Sequence, residues 1–229
     1  MKRSEINTII KKFEKMLKEY KFEIPEFCKF TPEEWAEKGH EYDEIRDNML
    51  GWDVTDFGSG DFSKMGLALI TLRNGNFHMQ DQYPKVYAEK IIMVLEGQEC
   101  PQHFHWKKME DIINRGGGNM IFKLYNATED EQLANTDVLI CKDGRRYMVK
   151  AGEEVILKPG ESISLYPYCY HGYVLEKGKG DVLVGEVSMC NDDNADNKFL
   201  VPVGRFAEIE EDEPPYRLLC NEYPAAREE

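Results

Sequence analysis

The strongest constraint on the fold is a series of short β-like runs that occupies most of the chain after residue 66. The runs are rich in Val, Ile, Leu and Tyr, and Gly, Asn-Gly and Asp-Gly turn signals separate them. Such regular punctuation is typical of an antiparallel sandwich or barrel. We therefore predict an all-β fold. The runs are GLALITLRNGN, VYAEKIIMVLEGQ, NMIFKLYNA, DVLICKDGRRYMV, EEVILKPGESISLYP, GYVLEKGKGDVLVGEVSM and KFLVPVGRFAEI.

The beginning of the chain shows a helical pattern instead. Apolar side chains at i, i+3, i+4 and i+7 predict an amphipathic helix over residues 4–20. The segment TPEEW at 31–35 carries a capping-box signature, with Thr as the N-cap, Pro in the first turn and Glu three residues after the cap. A third short helix is predicted over 42–50.

These two patterns suggest how the chain is organised. We expect residues 1–50 to form a helical extension that packs outside a barrel formed by residues 51–229. The acidic C-terminal stretch EIEEDEPPYRLLCNEYPAAREE is expected to cover part of that barrel. The whole chain would then be one structural domain.

Charge and composition exclude several classes of partner. The formal net charge of −14 disfavours nucleic acid and anionic membrane surfaces, both of which require a basic footprint. Apolar runs fall short of the ~20 residues needed to span a bilayer, and the N-terminus lacks the pattern of a secretion signal. The six cysteines occur singly and are expected to be reduced. We therefore expect a cytoplasmic protein.

A candidate metal site lies in the segment CPQHFHWKKME at residues 100–110. On a strand, His103 and His105 would point to the same face, and Glu110 could reach that face once the chain turns back. Three ligands from one segment would leave vacant positions, which a catalytic metal requires. The alternative is a pair of surface imidazoles with Glu110 as an ordinary charge. His171 is the further candidate, although a single histidine is usually structural.

The surrounding residues resemble the cupin motifs. The pattern G-x5-HxH-x4-E-x6-G of the first motif is matched by Gly97, His103, His105, Glu110 and Gly117. The second motif is matched loosely, since Gly160, Pro167 and His171 are present but a glycine between Pro and His, and a following Asn, are not. The resemblance implies a double-stranded β-helix, or jelly-roll barrel, with His171 as the fourth ligand.

Over nearly its whole length the chain resembles the D-lyxose ketol-isomerases, in the segments YAEKIIMVLEGQECPQHFHWKKMEDIINRGGGN, YPYCYHGY and GEVSMCNDDNADNKF. This resemblance implies a divalent metal, typically Mn²⁺, held by three His and one Glu. Zn²⁺, Co²⁺ and Fe²⁺ suit the same donor set. It also implies a homodimer and a free pentose or hexose substrate, with D-lyxose and D-xylulose interconverted and D-mannose and D-fructose as alternates.

That isomerisation moves a hydrogen between C2 and C1 through a cis-enediol, so it needs a base in addition to the metal ligand Glu110. Glu186 is the candidate, because it lies in the apolar strand DVLVGEVSM, where a buried charge must be partnered. The alternative is a structural glutamate paired with Arg or Lys, for instance Arg205.

Further polar residues are candidates for contact with the sugar. Lys108 lies between two ligands and would stabilise a developing oxyanion, whereas Lys107 is expected at the surface. Lys90 interrupts an apolar run, and Asp193 and Arg205 follow the strand of Glu186. Each has an alternative, as a solvated charge or, for Arg205, as the partner of Glu186.

Other functions share this metal frame. A cupin phosphosugar isomerase would need a cationic cluster for the phosphate, and a cupin dioxygenase would use Fe²⁺ in a more apolar pocket. A non-catalytic sugar-binding cupin belongs to a different class, and its metal ligands are dispensable. The four candidate ligands and the additional buried glutamate favour the isomerase.

Overall fold

Helices form the beginning of the chain and strands form the rest in a computed structural model that describes residues 1–228. The α-helices are α1 (Arg3–Glu19), α2 (Pro32–Ala36) and α3 (Asp43–Asp47), and Glu26–Lys29 and His40–Tyr42 are short 3-10 helices. The strands are β1 (Gly51–Thr55), β2 (Leu67–Arg73), β3 (Tyr87–Val94), β4 (Glu99–Phe104), β5 (Glu110–Gly117), β6 (Met120–Asn126), β7 (Val138–Lys142), β8 (Arg145–Val149), β9 (Glu154–Leu157), β10 (Ser162–Leu165), β11 (Cys169–Leu175), β12 (Val182–Met189) and β13 (Lys198–Phe199).

The strands form two antiparallel sheets that share one core. The larger sheet has the order β1-β2-β3-β12-β5-β10-β7-β8, and the smaller has the order β13-β4-β11-β6-β9. Inward side chains of both sheets, such as Ile92, Val184, Phe122 and Leu124, are buried in a single apolar cluster. Several strands that pair in space are distant in sequence, such as β3 with β12 and β4 with β11, as in a jelly roll. The prediction of an all-β cupin barrel is confirmed.

Helix α1 packs against the outer face of the larger sheet. Its apolar face, including Ile10 and Phe13, joins Trp52, Ile70 and Met93 in a second buried cluster. The rings of Phe13 and Trp52 meet edge to face at 5.6 Å. Strands β2, β3 and β12 are consequently covered on both faces in their middle sections, which explains their continuous apolar sequences.

The predicted helix starts agree closely with the structure. The hydroxyl of Thr31 accepts the backbone N–H of Glu34 at 3.2 Å, and the Glu34 carboxylate accepts the N–H of Thr31 at 2.8 Å. This reciprocal pair is the capping box expected from the sequence. It fixes the start of α2, a helix of only five residues.

Two parts of the strand prediction need correction. Strand β1 was not predicted, because its polar residue Asp53 obscures the pattern, although the side chain is buried in the barrel. The run KFLVPVGRFAEI was predicted as a strand but forms only the two residues of β13. Pro202 cannot donate to a ladder, and the N–H of Gly204 instead bonds the carbonyl of Phe57 at 3.1 Å.

Part of the acidic C-terminal stretch, residues 211–222, lies along α1. The buried guanidinium of Arg3 bonds Glu211 at 2.6 Å and also pairs with Glu222, and the amide of Asn7 donates to Glu213 at 2.6 Å. Within residues 1–228 all six cysteines are free thiols. None of the helices in this range is long and apolar enough to cross a membrane.

The packing of α1 predicts a large loss of stability in Phe13→Ala. Phe13 is fully buried, and removing a core aromatic ring costs about 3–5 kcal/mol of unfolding free energy. Urea unfolding followed by circular dichroism would measure it. Lys15→Ala is the control, because that side chain is 79% exposed on the same helix. Equal unfolding midpoints for the two variants would contradict the packing described.

Candidate metal centre and active site

Three histidines converge inside the barrel from two paired strands. His103 in β4 lies directly opposite His171 in β11, and their ring centroids are 4.2 Å apart. His105 follows at the end of β4 on the same side. One ligand atom from each histidine can be chosen so that all three lie within 4.8 Å of one another. These residues form a candidate metal centre.

The backbone orients all three imidazoles in the same way. The Nδ1 atoms of His103, His105 and His171 lie 2.8, 2.5 and 2.9 Å from the carbonyl oxygens of Pro101, Asp196 and Cys169, respectively. A carbonyl only accepts, so each Nδ1 carries a proton, and Nε2 is the atom that offers a lone pair in the neutral ring. Histidine ligands of metals are commonly fixed in this manner. The residues therefore fit a metal ion.

Glu110, the first residue of β5, lies against the histidines. Its Oε1 is 3.0 Å from Nε2 of His171, but the geometry is not that of a hydrogen bond, and this Nε2 is buried without a partner among the described residues. The other oxygen, Oε2, lies 3.5 Å from Nε2 of His105 and 2.7 Å from Nζ of Lys108. The carboxylate thus faces the atoms that would bind a cation.

Burial and neighbouring charges set the protonation of this cluster. Burial lowers the pKa of His103 well below its ordinary value and also lowers the pKa of His105. Burial acts to raise the pKa of Glu110, but the Lys108 ammonium and the His105 ring hold it well below its usual range. The site therefore presents two neutral imidazoles and an ionised carboxylate, the protonation states that bind a metal.

The turn between β4 and β5 is held by a residue that sequence reasoning missed. The buried carboxylate of Asp196 accepts the backbone N–H groups of Lys107 and Lys108 at 3.0 and 2.9 Å. Its own carbonyl oxygen orients His105. The only signal in the sequence was the cluster NDDNADN, whose role depends on tertiary packing. Lys107 is exposed, whereas Lys108 is buried and points to the site.

Glu186 lies beside the candidate metal centre, between two lysines. It is directly opposite Lys90 across the β3–β12 pair. Its Oε1 is 3.2 Å from Nζ of Lys90 and 3.0 Å from Nζ of Lys108. All three side chains are buried, so the alternative of solvated lysines is wrong. Arg205 as the partner of Glu186 is also wrong, because Arg205 pairs elsewhere.

Arg205 bridges two carboxylates at another part of the cavity wall. Its Nη2 lies 2.6 Å from Asp53 of β1 and 2.8 Å from Asp193. Burial favours the neutral acid, but Arg205 and Lys90 hold the pKa of Asp193 well below its ordinary value. Nη1 of Arg205 is buried without a hydrogen-bond partner among the described residues. An unpaired buried donor is costly and points to a missing acceptor.

The remaining wall of the cavity is apolar. Leu69, Ile92 and Tyr173 line it, and the rings of Phe57 and Phe199 meet at 5.8 Å. A bound molecule would therefore meet carbon atoms as well as charged groups. The other tyrosines near His171 pack outside this cavity, as the contacts of Tyr170 and Tyr168 with Phe104 show.

Comparison with known proteins agrees with this architecture. Residues 1–223 match the model of the protein family described as D-lyxose isomerase. The chain is 49% identical over 224 residues to the D-lyxose/D-mannose isomerase of Serratia proteamaculans. The alignment covers 97% of this chain and 98% of that protein. Identity and coverage are the same for the D-lyxose/D-mannose isomerase of Escherichia coli.

Solved structures share the fold at lower identity. The L-ribose isomerase of Cellulomonas parahominis, crystallised with L-ribose, matches with a TM-score of 0.60 and 15% identity. The match covers 92% of this chain and 98% of that one. At such identity the likeness concerns the fold, and it supports the cupin-type barrel described above.

The role of Asp196 predicts a loss of stability in Asp196→Ala. Two backbone N–H groups would lose their acceptor, and each unsatisfied buried donor costs about 1–3 kcal/mol. The unfolding midpoint in urea would measure the loss. Asp130→Ala removes an exposed carboxylate and serves as the control. A midpoint for Asp196→Ala equal to that of the control would exclude this role.

Proposed function

The chain belongs to the D-lyxose isomerase family, and we propose that it interconverts D-lyxose with D-xylulose, and D-mannose with D-fructose, in a metal-dependent reaction. Membership establishes a sugar isomerase of the aldose-ketose type. The observation that carries the metal-dependent proposal is the convergence of three oriented imidazoles beside the ion cluster of Lys90, Glu186 and Lys108.

The metal would be held by His103, His105, His171 and Glu110. A mixed set of imidazole nitrogens and one carboxylate suits Mn²⁺, which we propose as the ion, and also Zn²⁺, Co²⁺ and Fe²⁺. When bound, such an ion supplies Lewis-acid polarisation of the sugar carbonyl.

Glu186 is the proposed base. Its carboxylate would take the proton from C2 of the open-chain aldose. The electron pair of that C–H bond would form the C1–C2 double bond, and the C1=O π pair would move onto O1, which takes up a proton to give a cis-enediol. The protonated Glu186, whose proton can exchange with solvent, would then deliver a proton to C1 while O2 loses its proton and the carbonyl forms at C2 to complete the ketose. Lys108, which contacts Glu110 and Glu186, would donate to the oxygen on which negative charge develops. Lys90 supports the same carboxylate from the adjacent strand.

The pairing of the cations favours a free sugar over a phosphosugar. Lys90, Lys108 and Arg205 each contact a carboxylate, so their charge is already balanced inside the cavity. A phosphate would need cations that remain in excess. Asp193 suits a sugar hydroxyl as an acceptor, and the unpaired Nη1 of Arg205 suits one as a donor. The charged side chains that line the cavity also argue against a dioxygenase, which would favour a more apolar pocket.

Two further expectations concern assembly, from the family resemblance, and location, from the cysteines. We propose that the enzyme is a homodimer, which light scattering of the purified protein would check. We also propose that it acts in the cytoplasm, where its free thiols would remain reduced.

The substrate proposal is tested by a panel of sugars with the Mn²⁺-loaded protein. We expect ketose formation from D-lyxose and D-mannose, with little from D-xylose and mannose 6-phosphate. In D₂O, deuterium in the product would support proton transfer over a hydride shift. Absence of turnover on every free aldose, with metal binding intact, would refute the isomerase proposal. Turnover of the phosphorylated sugar alone would favour a phosphosugar isomerase.

The base assignment predicts that Glu186→Gln loses about 10²–10⁴-fold in kcat, the usual contribution of a general base. The amide cannot accept the C2 proton, yet metal content per chain should be unchanged because Glu186 is not among the proposed ligands. Glu154→Gln, at an exposed site with a side chain 57% accessible, is the matched control. Unchanged turnover in Glu186→Gln would rule out this residue as the base.

The proposed ligand set predicts that His171→Ala lowers both bound metal and turnover. Loss of one ligand of four weakens the site, and metal per chain can be measured by mass spectrometry after dialysis. His78→Ala changes an exposed histidine that contacts Asp192 at 3.1 Å, so it should retain wild-type metal. If both variants retain equal metal, His171 is not a ligand.

A further inference from the structure

Asn191, which follows β12, contacts both lysines of the Glu186 cluster. Its Oδ1 lies 2.7 Å from Nζ of Lys90 and 3.2 Å from Nζ of Lys108. An ammonium group only donates, so the two lysines fix the orientation of the amide with its oxygen towards them. The same two Nζ atoms contact Oε1 of Glu186. The Lys90 ammonium is therefore shared between one carboxylate oxygen and one amide oxygen, and the Lys108 ammonium meets the same two oxygens and, in addition, Oε2 of Glu110.

The backbone of Asn191 is held in place by another buried amide. Oδ1 of Asn74 accepts the N–H of Asn191 at 2.9 Å, and Nδ2 of Asn74 donates to the carbonyl oxygen of Asn191 at 3.0 Å. Nδ2 of Asn74 also contacts the carbonyl of Asn48 at 3.2 Å. Asn74 thus ties together the segments after β2, α3 and β12. The amide oxygen of Asn191 is consequently held at a defined position.

A neutral acceptor has a specific advantage at this position. Two ammonium groups near one carboxylate oxygen repel each other, and an amide dipole attracts both without adding a negative charge. A carboxylate at residue 191 would compete with Glu186 for the lysines. An apolar side chain would leave each buried ammonium with one acceptor fewer, which is costly.

We infer that Asn191 is a positioning residue that holds Lys90 and Lys108 against Oε1 of Glu186. The inference rests on the proposed function, because it assigns a geometric requirement to the proposed proton transfer. Asn191 acts through the lysines and the carboxylate, so it affects the chemical step more than the binding of sugar.

The kinetic test compares Asn191→Ala and Asn191→Leu with Asn194→Leu. Asn194 is exposed three residues further on, so it provides the same chemical change outside the cluster. We expect kcat of both Asn191 variants to fall by about 10- to 100-fold, the size of a hydrogen bond to a charged group. KM should stay within about threefold and metal content should be unchanged. Wild-type kcat in both variants would overturn the inference.

A double-mutant cycle separates positioning from a general structural role. In a Lys90→Met background one of the two ammonium groups is absent, so Asn191→Ala should cost less than about threefold in kcat. Full additivity of the two substitutions would overturn the inference. Neither Lys90→Met nor Asn191→Ala alone is expected to keep wild-type kcat, since both disturb the surroundings of the Glu186 carboxylate.

Crystal structures of the Asn191 variants give a readout that does not depend on turnover. We expect at least one Nζ to leave hydrogen-bond distance of Oε1 of Glu186 in Asn191→Leu. Retention of both contacts would overturn the inference, whatever the activity. If instead the wild type and Asn194→Leu turn over no free aldose, the isomerase proposal fails, and the crystallographic result still decides the positioning of the lysines.

Discussion

Burial of charge inside the barrel is the constraint on which the rest of the structure depends. Helix α1 covers the outer face of the larger sheet, and the smaller sheet covers its inner face. Any charged side chain on the middle of β3 or β12 must then be paired within the protein, since an isolated buried charge is prohibitive. Lys90 and Glu186 satisfy this condition for each other. Electrostatic pairing and apolar packing therefore define the same cavity.

Local sequence patterns were sufficient for the parts of the site that lie on one segment. The spacing of His103, His105 and Glu110 predicted that the two imidazoles share one side and that the carboxylate meets them once the chain turns back, and Glu110 does so as the first residue of β5. The capping box at Thr31 was equally local. His171 was a candidate because it is the only other histidine in a clear β-region, and the cupin motif implied that it is the fourth ligand. Its place opposite His103 depends on the pairing of β11 with β4, which are distant in the chain.

The remaining residues depended on tertiary contacts that no local pattern encodes. The partner of Glu186 was open among several cations, and only the register of β3 with β12 selects Lys90. Asp53 and Asp196 were missed for the same reason, since each meets its partner across a long stretch of sequence. The strand predicted from Lys198 onwards shows the opposite error, in which a local pattern predicts more structure than forms. The apolar composition of this run predicted a paired strand, but Pro202 has no backbone N–H to donate to a neighbouring strand.

Asp196 contacts both a proposed metal ligand, His105, and Lys108, which belongs to the proposed proton-transfer groups. Its carbonyl oxygen fixes the ring of His105, and its carboxylate fixes the backbone of Lys108. A shift of this single residue would therefore change the direction of a nitrogen lone pair and the position of an ammonium group at the same time. Substitutions of Asp196 itself are therefore expected to alter metal binding and proton chemistry together.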